Sequence, residues 1–102
     1  MSISNVELKN SHYQVYDGSG KKIKEIYYSN VGELMGFGND FIVFSQNNHF
    51  ATYDESFKKI KEIYSSNVGK FKNASGSTII FEMNNHIGTY DVNFKKISER
   101  HI

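Results

Sequence analysis

The chain has 102 residues and a formal net charge of +1, and it contains no Cys, Pro or Trp. That is the length of one domain; the missing Cys exclude disulfide frameworks and thiolate metal sites, and the balanced charge gives no bulk electrostatic case for nucleic acid, an anionic membrane or an acidic partner. The longest apolar run, Phe41 to Phe44, is far short of a membrane span, and Met1 to Asn10 has neither a cationic nor a hydrophobic leader region, so a cytoplasmic protein with no membrane contact is expected.

A period of 37 organises the sequence: His12, His49 and His86 keep it, as do Tyr16, Tyr53 and Tyr90, and Asp17, Asp54 and Asp91. Lys21-Lys22-Ile23 recurs as Lys58-Lys59-Ile60 and Lys95-Lys96-Ile97, followed by Glu25, Glu62 and Glu99. Of the 21 positions from His12 to Gly32, fifteen are identical in His49 to Gly69. The chain thus reads as a single domain of three tandem units, about 1–28, 29–65 and 66–102.

In chain order, the N-terminal stretch is open to two readings. Val6 and Leu8 suit a strand of the first unit, while Ser4-Asn5-Val6 also echoes Ser29-Asn30-Val31. His12 to Asp17 and Lys21 to Tyr27 are the next two strands of that unit. The second unit begins with a short strand near Leu34, here termed A. Phe41 to Phe44 is strand B, apolar throughout as expected of a strand buried on both faces. Asn47-Asn48 then tolerate the positive φ of a tight hairpin turn. Strand C alternates His49, Ala51 and Tyr53 with Phe50, Thr52 and Asp54. Asp54-Glu55-Ser56-Phe57 forms the second turn, opened by the Asp side chain bonding forward to the backbone. Strand D, Lys58 to Tyr64, sets Ile60, Glu62 and Tyr64 against Lys59, Lys61 and Ile63, and its lysines suit an outer edge. The third unit repeats the series near Phe71, at Ile79 to Phe81, from His86 and from Lys95. The chain therefore reads B-C-D, A-B-C-D, A-B-C-D. An all-β fold of three propeller-blade-like antiparallel repeats is expected; the alternative is a trefoil-like three-fold β fold.

The unit Asn-x-His-x-Gly-x-Tyr-Asp-x-x-Phe-Lys-Lys-Ile, seen from Asn84 to Ile97, resembles the short bacterial WG-type β repeats. Those place a Gly two residues before an apolar-Asp pair and a Gly-Lys shortly after it, as Gly88, Tyr90-Asp91 and Gly20-Lys21 stand here. This sequence has Phe57 and Phe94 where their second Gly stands, and lacks their Trp and Pro. The resemblance implies a binding scaffold, and it carries over no catalytic residues.

Candidate chemistry follows the repeat. Convergence of His12, His49 and His86 on a three-fold axis would suit zinc, but no carboxylate or other fourth ligand repeats alongside them in the sequence, so neither metal nor cofactor is expected. No strained nucleophile turn or phosphate loop is present, and every conspicuous polar residue is repeated, so no catalytic residues are assigned and the chain reads as a non-enzyme. Glu25, Glu62 and Glu99 interrupt the lysine clusters, which argues against nucleic acid. In blade-like units the B–C and D–A loops emerge on one face. That face would carry Asn10 and His12, Asn47, Asn48 and His49, and Asn84, Asn85 and His86, joined by Asn30 and Asn67. Their amides and imidazoles offer donors and acceptors together, and they are the expected partner-binding residues.

The function expected is that of a non-catalytic binding module for a protein partner, an inhibitor, immunity or accessory factor from an AT-rich bacterial or phage genome. The alternative is a glycan-binding lectin with one site per blade. Because fewer than four blades cannot close a ring, and apolar positions such as Ile80 and Phe81 would lie bare on an open end, a homodimer of six blades is expected.

Overall fold

The computed structural model describes residues 2–102. Three separate antiparallel sheets follow one another along the chain. The first holds β1 (Ile3–Lys9), β2 (His12–Asp17) and β3 (Lys22–Tyr27) in that order. The second holds β4 (Glu33–Phe37), β5 (Phe41–Gln46), β6 (His49–Asp54) and β7 (Lys59–Tyr64), and the third β8 (Lys70–Ser75), β9 (Thr78–Met83), β10 (His86–Tyr90) and β11 (Lys96–His101). This is the B-C-D, A-B-C-D, A-B-C-D order read from the sequence. The N-terminal ambiguity resolves in favour of a B strand, because β1 pairs with β2 through Val6 and Val15. Among the described residues no sheet closes into a barrel, so the blade-like arrangement holds rather than the trefoil-like alternative.

Turn chemistry sets the register. The B–C hairpins place Asn47 and Asn48 at φ 53 and 65, and Asn84 and Asn85 at φ 54 and 66. Two successive left-handed residues are what a two-residue hairpin matching the strand twist requires. In the first unit Asn10 and Ser11 do the same at φ 52 and 66. The C–D turns are built around Asp: Asp54 Oδ1 accepts the N–H of Ser56 at 2.8 Å and of Lys58 at 3.0 Å, and Asp91 repeats this with Asn93 and Lys95. Each of these turns ends in a left-handed residue, Gly20, Phe57 or Phe94. Each leaves a bulge behind it, so Thr52 faces Lys61 but Tyr53 faces Lys59, and Ile60 is the extra residue.

The left-handed phenylalanines are explained by what their rings do. Phe57 and Phe94 are each 7% exposed, and they sit 6.3 Å from Phe44 and 6.2 Å from Phe81, centroid to centroid. Burial between sheets offsets a backbone conformation that glycine would adopt without strain. Two apolar clusters result. One lies between the first and second sheets, around Val6, Tyr13, Val15, Ile42 and Phe44; the other lies between the second and third, around Phe41, Val43, Phe50, Ile79 and Phe81. Strand β5 feeds both, so it is buried on both faces as its composition predicts. Thr52, fully buried, donates its hydroxyl to Val92 O at 2.7 Å and so ties the second sheet to the third. At the opposite end from the Asn hairpins, Asn39 links all three sheets: Ile3 N donates to its carbonyl at 2.6 Å, and its own N–H donates to Gly76 O at 2.8 Å.

The two end faces differ from the internal ones. Counting back 37 residues, Ile42, Phe44, Ala51 and Phe57, which pack toward the first sheet, become Asn5, Glu7, Gln14 and Gly20 on the first sheet's own outer side. Counting forward, Phe41, Met35 and Ile63 become Thr78, Lys72 and Arg100 on the outer side of the third sheet. The outer face of the third sheet is less bare than Ile80 and Phe81 suggest in the sequence. Phe81 is 1% exposed and lies inside the second cluster, because β9 turns it toward Phe50 and Phe71. Of the pair named, only Ile80 lies on the outer side, and it is half-buried.

Candidate functional site

The B–C hairpins and D–A loops share one end of the molecule, because the backbone ties them together. Ser65, which opens the turn Ser65–Asn67, donates its N–H to Asn48 O at 2.9 Å; Tyr28 N donates to Ser11 O at 2.9 Å, and Ile102 N to Asn85 O at 2.9 Å. Asn30 and Asn67 close the turns Tyr28–Asn30 and Ser65–Asn67 on the same end, both exposed. Behind each turn, Gly32 and Gly69 stand at φ 93, where a Cβ would come within 2.4 Å of Ser45 O and 2.3 Å of Glu82 O. The close approach of these loops to the second and third sheets thus depends on glycine.

The asparagines expected to form the contact surface have a structural role in the backbone. Asn10, Asn47 and Asn84 also present their carbonyls to the histidines: His12, His49 and His86 each donate Nδ1–H to the carbonyl two residues before, at 3.0, 2.9 and 2.9 Å. Their rings do not pack on the Tyr four residues on, as the alternation along strand C suggests. They pack across onto strand D: His12 on Tyr27, His49 on Tyr64 at 4.2 Å between centroids, and His86 on His101. Tyr53 instead turns inward against Phe44. Each histidine stays within its own sheet, and no group of three or more His, Asp or Glu able to hold a metal ion occurs among the described residues.

Two equivalent clefts open at this end, one beside the second sheet and one beside the third, of about 260 and 230 Å³. Val31 or Val68, from the preceding D–A loop, closes one side. The other side carries His49, Tyr53, Lys59 and Glu62 in the second unit and His86, Tyr90, Lys96 and Glu99 in the third. The floor is Ala51 in one and Gly88 in the other. The bulge after the C–D turn makes the charge pair. Lys59 Nζ reaches Glu62 Oε1 at 2.6 Å, Lys22 reaches Glu25 at 2.8 Å, and Lys96 pairs with Glu99. Glu62 Oε2 is left facing His49 Nε2 at 3.8 Å.

The electrostatics of each pair reinforce its charged form. The hydrogen bond from Lys59 lowers the Glu62 carboxyl below its usual value, and the same bond raises Lys59. Glu99 and Lys96 shift the same way for the same reason. Burial pushes the Tyr53 phenol up, so it remains a hydroxyl donor. Chemically, each cleft offers a carboxylate, an ammonium and an imidazole in one small polar concavity, with an apolar wall on the other side.

The first unit carries the same His12, Tyr16, Lys22 and Glu25, but its cleft position is occupied from within. Gln14 stands where Ala51 and Gly88 stand, with its Nε2 donating to Glu25 Oε1 at 3.3 Å and its Oε1 accepting from the Tyr16 hydroxyl at 2.6 Å. Of the residues expected from the sequence, the structure brings Asn47 and His49 to one cleft and Asn84 and His86 to the other; Asn10, His12, Asn30, Asn48, Asn67 and Asn85 lie outside both. Tyr53, Lys59 and Glu62 and their third-unit counterparts were missed as site residues. The signal was present, since the Tyr-Asp and Lys-Lys-Ile-x-Glu pieces keep the same period as the histidines.

No protein-family model matches this sequence, and no curated protein is significantly similar to it. Among the described residues no helix is long and apolar enough to cross a membrane.

Proposed function

We propose that this chain is a non-catalytic binding module, a cytoplasmic inhibitor, immunity or accessory factor that grips a protein partner through its two clefts. The observation that carries this reading is the repetition of the cleft. The same His, Tyr, Lys and Glu recur in both, each around a small floor residue. A reaction centre is asymmetric and single, whereas two like concavities on one end suit a partner presenting like groups. The WG-type resemblance of the unit agrees with a binding scaffold. The test is capture from a native lysate by the unmodified protein, by Ala51→Gln and by Ala51→Gln/Gly88→Gln, which place the first unit's residue in one floor and in both, with the melting temperature of each variant as the fold control because a Cβ at Gly88 stands 2.9 Å from the Tyr90 ring. A partner retained equally well by all three proteins would remove the clefts from the reading.

The second reading is a lectin. It is favoured by the size of the clefts, below the range typical of drug-sized ligands and suited to a single sugar ring, and by their mixture of donors and acceptors. A glycan array separates the two readings, since a protein-binding module gives no saturable signal on it.

A further inference from the structure

The geometry points to a primary carboxamide, the side chain of a glutamine presented by a protein partner, as the group each cleft accepts. This rests on the reading of the clefts as contact sites and names their chemistry. The first unit shows a carboxamide against the same residue types: Gln14, standing where Ala51 and Gly88 stand, gives an N–H to Glu25 Oε1, the oxygen that Lys22 also binds, and takes the hydroxyl of Tyr16. The same residue types recur in the other two units; around Ala51 they stand open, and in the third unit the Tyr90 ring lies 2.9 Å from where a Cβ on Gly88 would stand, so there the amide enters from outside the chain.

The histidine completes the match. Because His49 Nδ1 is bonded to a carbonyl, which can only accept, that nitrogen carries the proton. In the neutral ring Nε2 is then an acceptor. It faces a second acceptor, Glu62 Oε2, at 3.8 Å, while Lys59 occupies the other carboxylate oxygen. With the ring neutral, two acceptors stand side by side, and a small group with two donors satisfies both, a contact beyond those Gln14 makes in the first unit. The NH₂ of a primary amide has two, and its carbonyl accepts from the Tyr53 hydroxyl. A carboxylate in the same place has no donor and meets Glu62 with like charge. A secondary amide has only one N–H. The Lys59–Glu62 pair cancels within the cleft, which leaves no net charge to attract an ionic ligand.

The floor residue gives a test that needs no partner. Ala51→Gln, Ala51→Glu and Ala51→Met are near in size and differ in donors. We expect Ala51→Gln to melt within about 2 °C of the parent, while Ala51→Glu and Ala51→Met fall by several degrees or more, a fall of about 4–8 °C corresponding to each kcal/mol lost in a domain of this length. The binding arm uses a short peptide with two glutamines, its Glu counterpart and its N-methylglutamine counterpart, titrated by NMR into the full chain. The glutamine peptide should shift the ring signals of His49 and His86 and spare His12; in Ala51→Gln the His49 response is lost. Equal responses to the Glu or N-methyl peptide, a response unchanged in Ala51→Gln, no response to any peptide, or a melting order in which Gln is no better than Glu and Met would each overturn the inference. If it falls while the doubly substituted protein still loses its native partner, the clefts bind a different chemical group and the broader reading stands.

Discussion

Phe57 tests whether ring burial is what holds a left-handed phenylalanine. Its φ of 62 is a conformation glycine adopts freely, yet the residue is only 7% exposed, with its ring against Phe44. Removing such a ring costs about 3–5 kcal/mol through lost transfer energy and the cavity left behind. Ala at this position keeps the backbone strain and loses the ring. Gly loses the ring as well but relieves about 1–2 kcal/mol of left-handed strain, against about 0.5–1 kcal/mol of extra chain entropy in the unfolded state. Phe57→Gly should therefore be more stable than Phe57→Ala by about 0.5–1 kcal/mol, the reverse of the order found at ordinary positions. Both should lie well below the parent, by about 10 °C or more in melting temperature. Urea unfolding of the three proteins, compared by midpoint at equal slope, measures the order directly. If Phe57→Ala equals or exceeds Phe57→Gly, strain is not being offset by burial at this turn. Gly20→Phe gives the mirror case. At φ 83, with nothing within 4 Å of a built Cβ, the added ring finds no cover and the change should cost about 1 kcal/mol.

Removing the buried hydroxyl in Thr52→Val should cost about 1–2 kcal/mol, since Val92 O is then left unpaired; an unchanged urea midpoint would mean the bond contributes nothing. Stability should fall at both pH extremes. The Ser19 hydroxyl bond lowers Asp17, and the lysine bonds lower Glu25, Glu62 and Glu99, so their contribution is present above the ordinary carboxyl values and lost as pH falls through the depressed ones. Lys22, Lys59 and Lys96 are raised by the same bonds, and their contribution is lost as pH rises through the raised values. A melting temperature that climbs between about pH 5 and pH 3, across the ordinary carboxyl values, would contradict this. Light scattering at micromolar concentration should give the mass of one chain, because a six-blade ring of two copies would press Asn5, Glu7 and Gln14 of one against Ile80 and Ile87 of the other; a mass of two chains would show that this polar and apolar contact is tolerated.

What was legible in the sequence was what local chemistry decides. Asn47-Asn48 and Asn84-Asn85 announce their turns because two successive left-handed residues need a short polar side chain. Phe41 to Phe44 announces a doubly buried strand because neither face can be solvent. The cleft was not legible, because it depends on one residue of register. Strict alternation sets Lys59 and Glu62 on opposite faces of strand D, whereas the bulge at Ile60 returns Lys59 to the side of Glu62 and closes the ion pair. That bulge follows from the left-handed residue at Phe57, a residue type that carries no turn signal by itself. The stacking of His49 on Tyr64 was hidden for a related reason. It is a cross-strand pair, fixed by β6–β7 register and not by spacing along β6.

The substitutions that make the outer face of the first sheet polar also fill the cleft position of its unit. A cleft needs a D–A loop from a preceding unit, which supplies Val31 to the second sheet and Val68 to the third. The first sheet has no such loop among the described residues, so a small residue at position 14 would leave Tyr16 and Glu25 facing solvent without a wall. Gln14 meets both demands: its carboxamide satisfies those two groups, and its polarity suits an outer surface where Ala51 or Gly88 would expose the strand beneath. Asn5 and Glu7 complete that polar surface where Ile42 and Phe44 form an internal one. A sheet face of a stacked array that meets water is polar in this way. Here the polar residue chosen is one that answers the receptor groups of its own unit, and each of the two open clefts lies where a D–A loop reaches the next sheet.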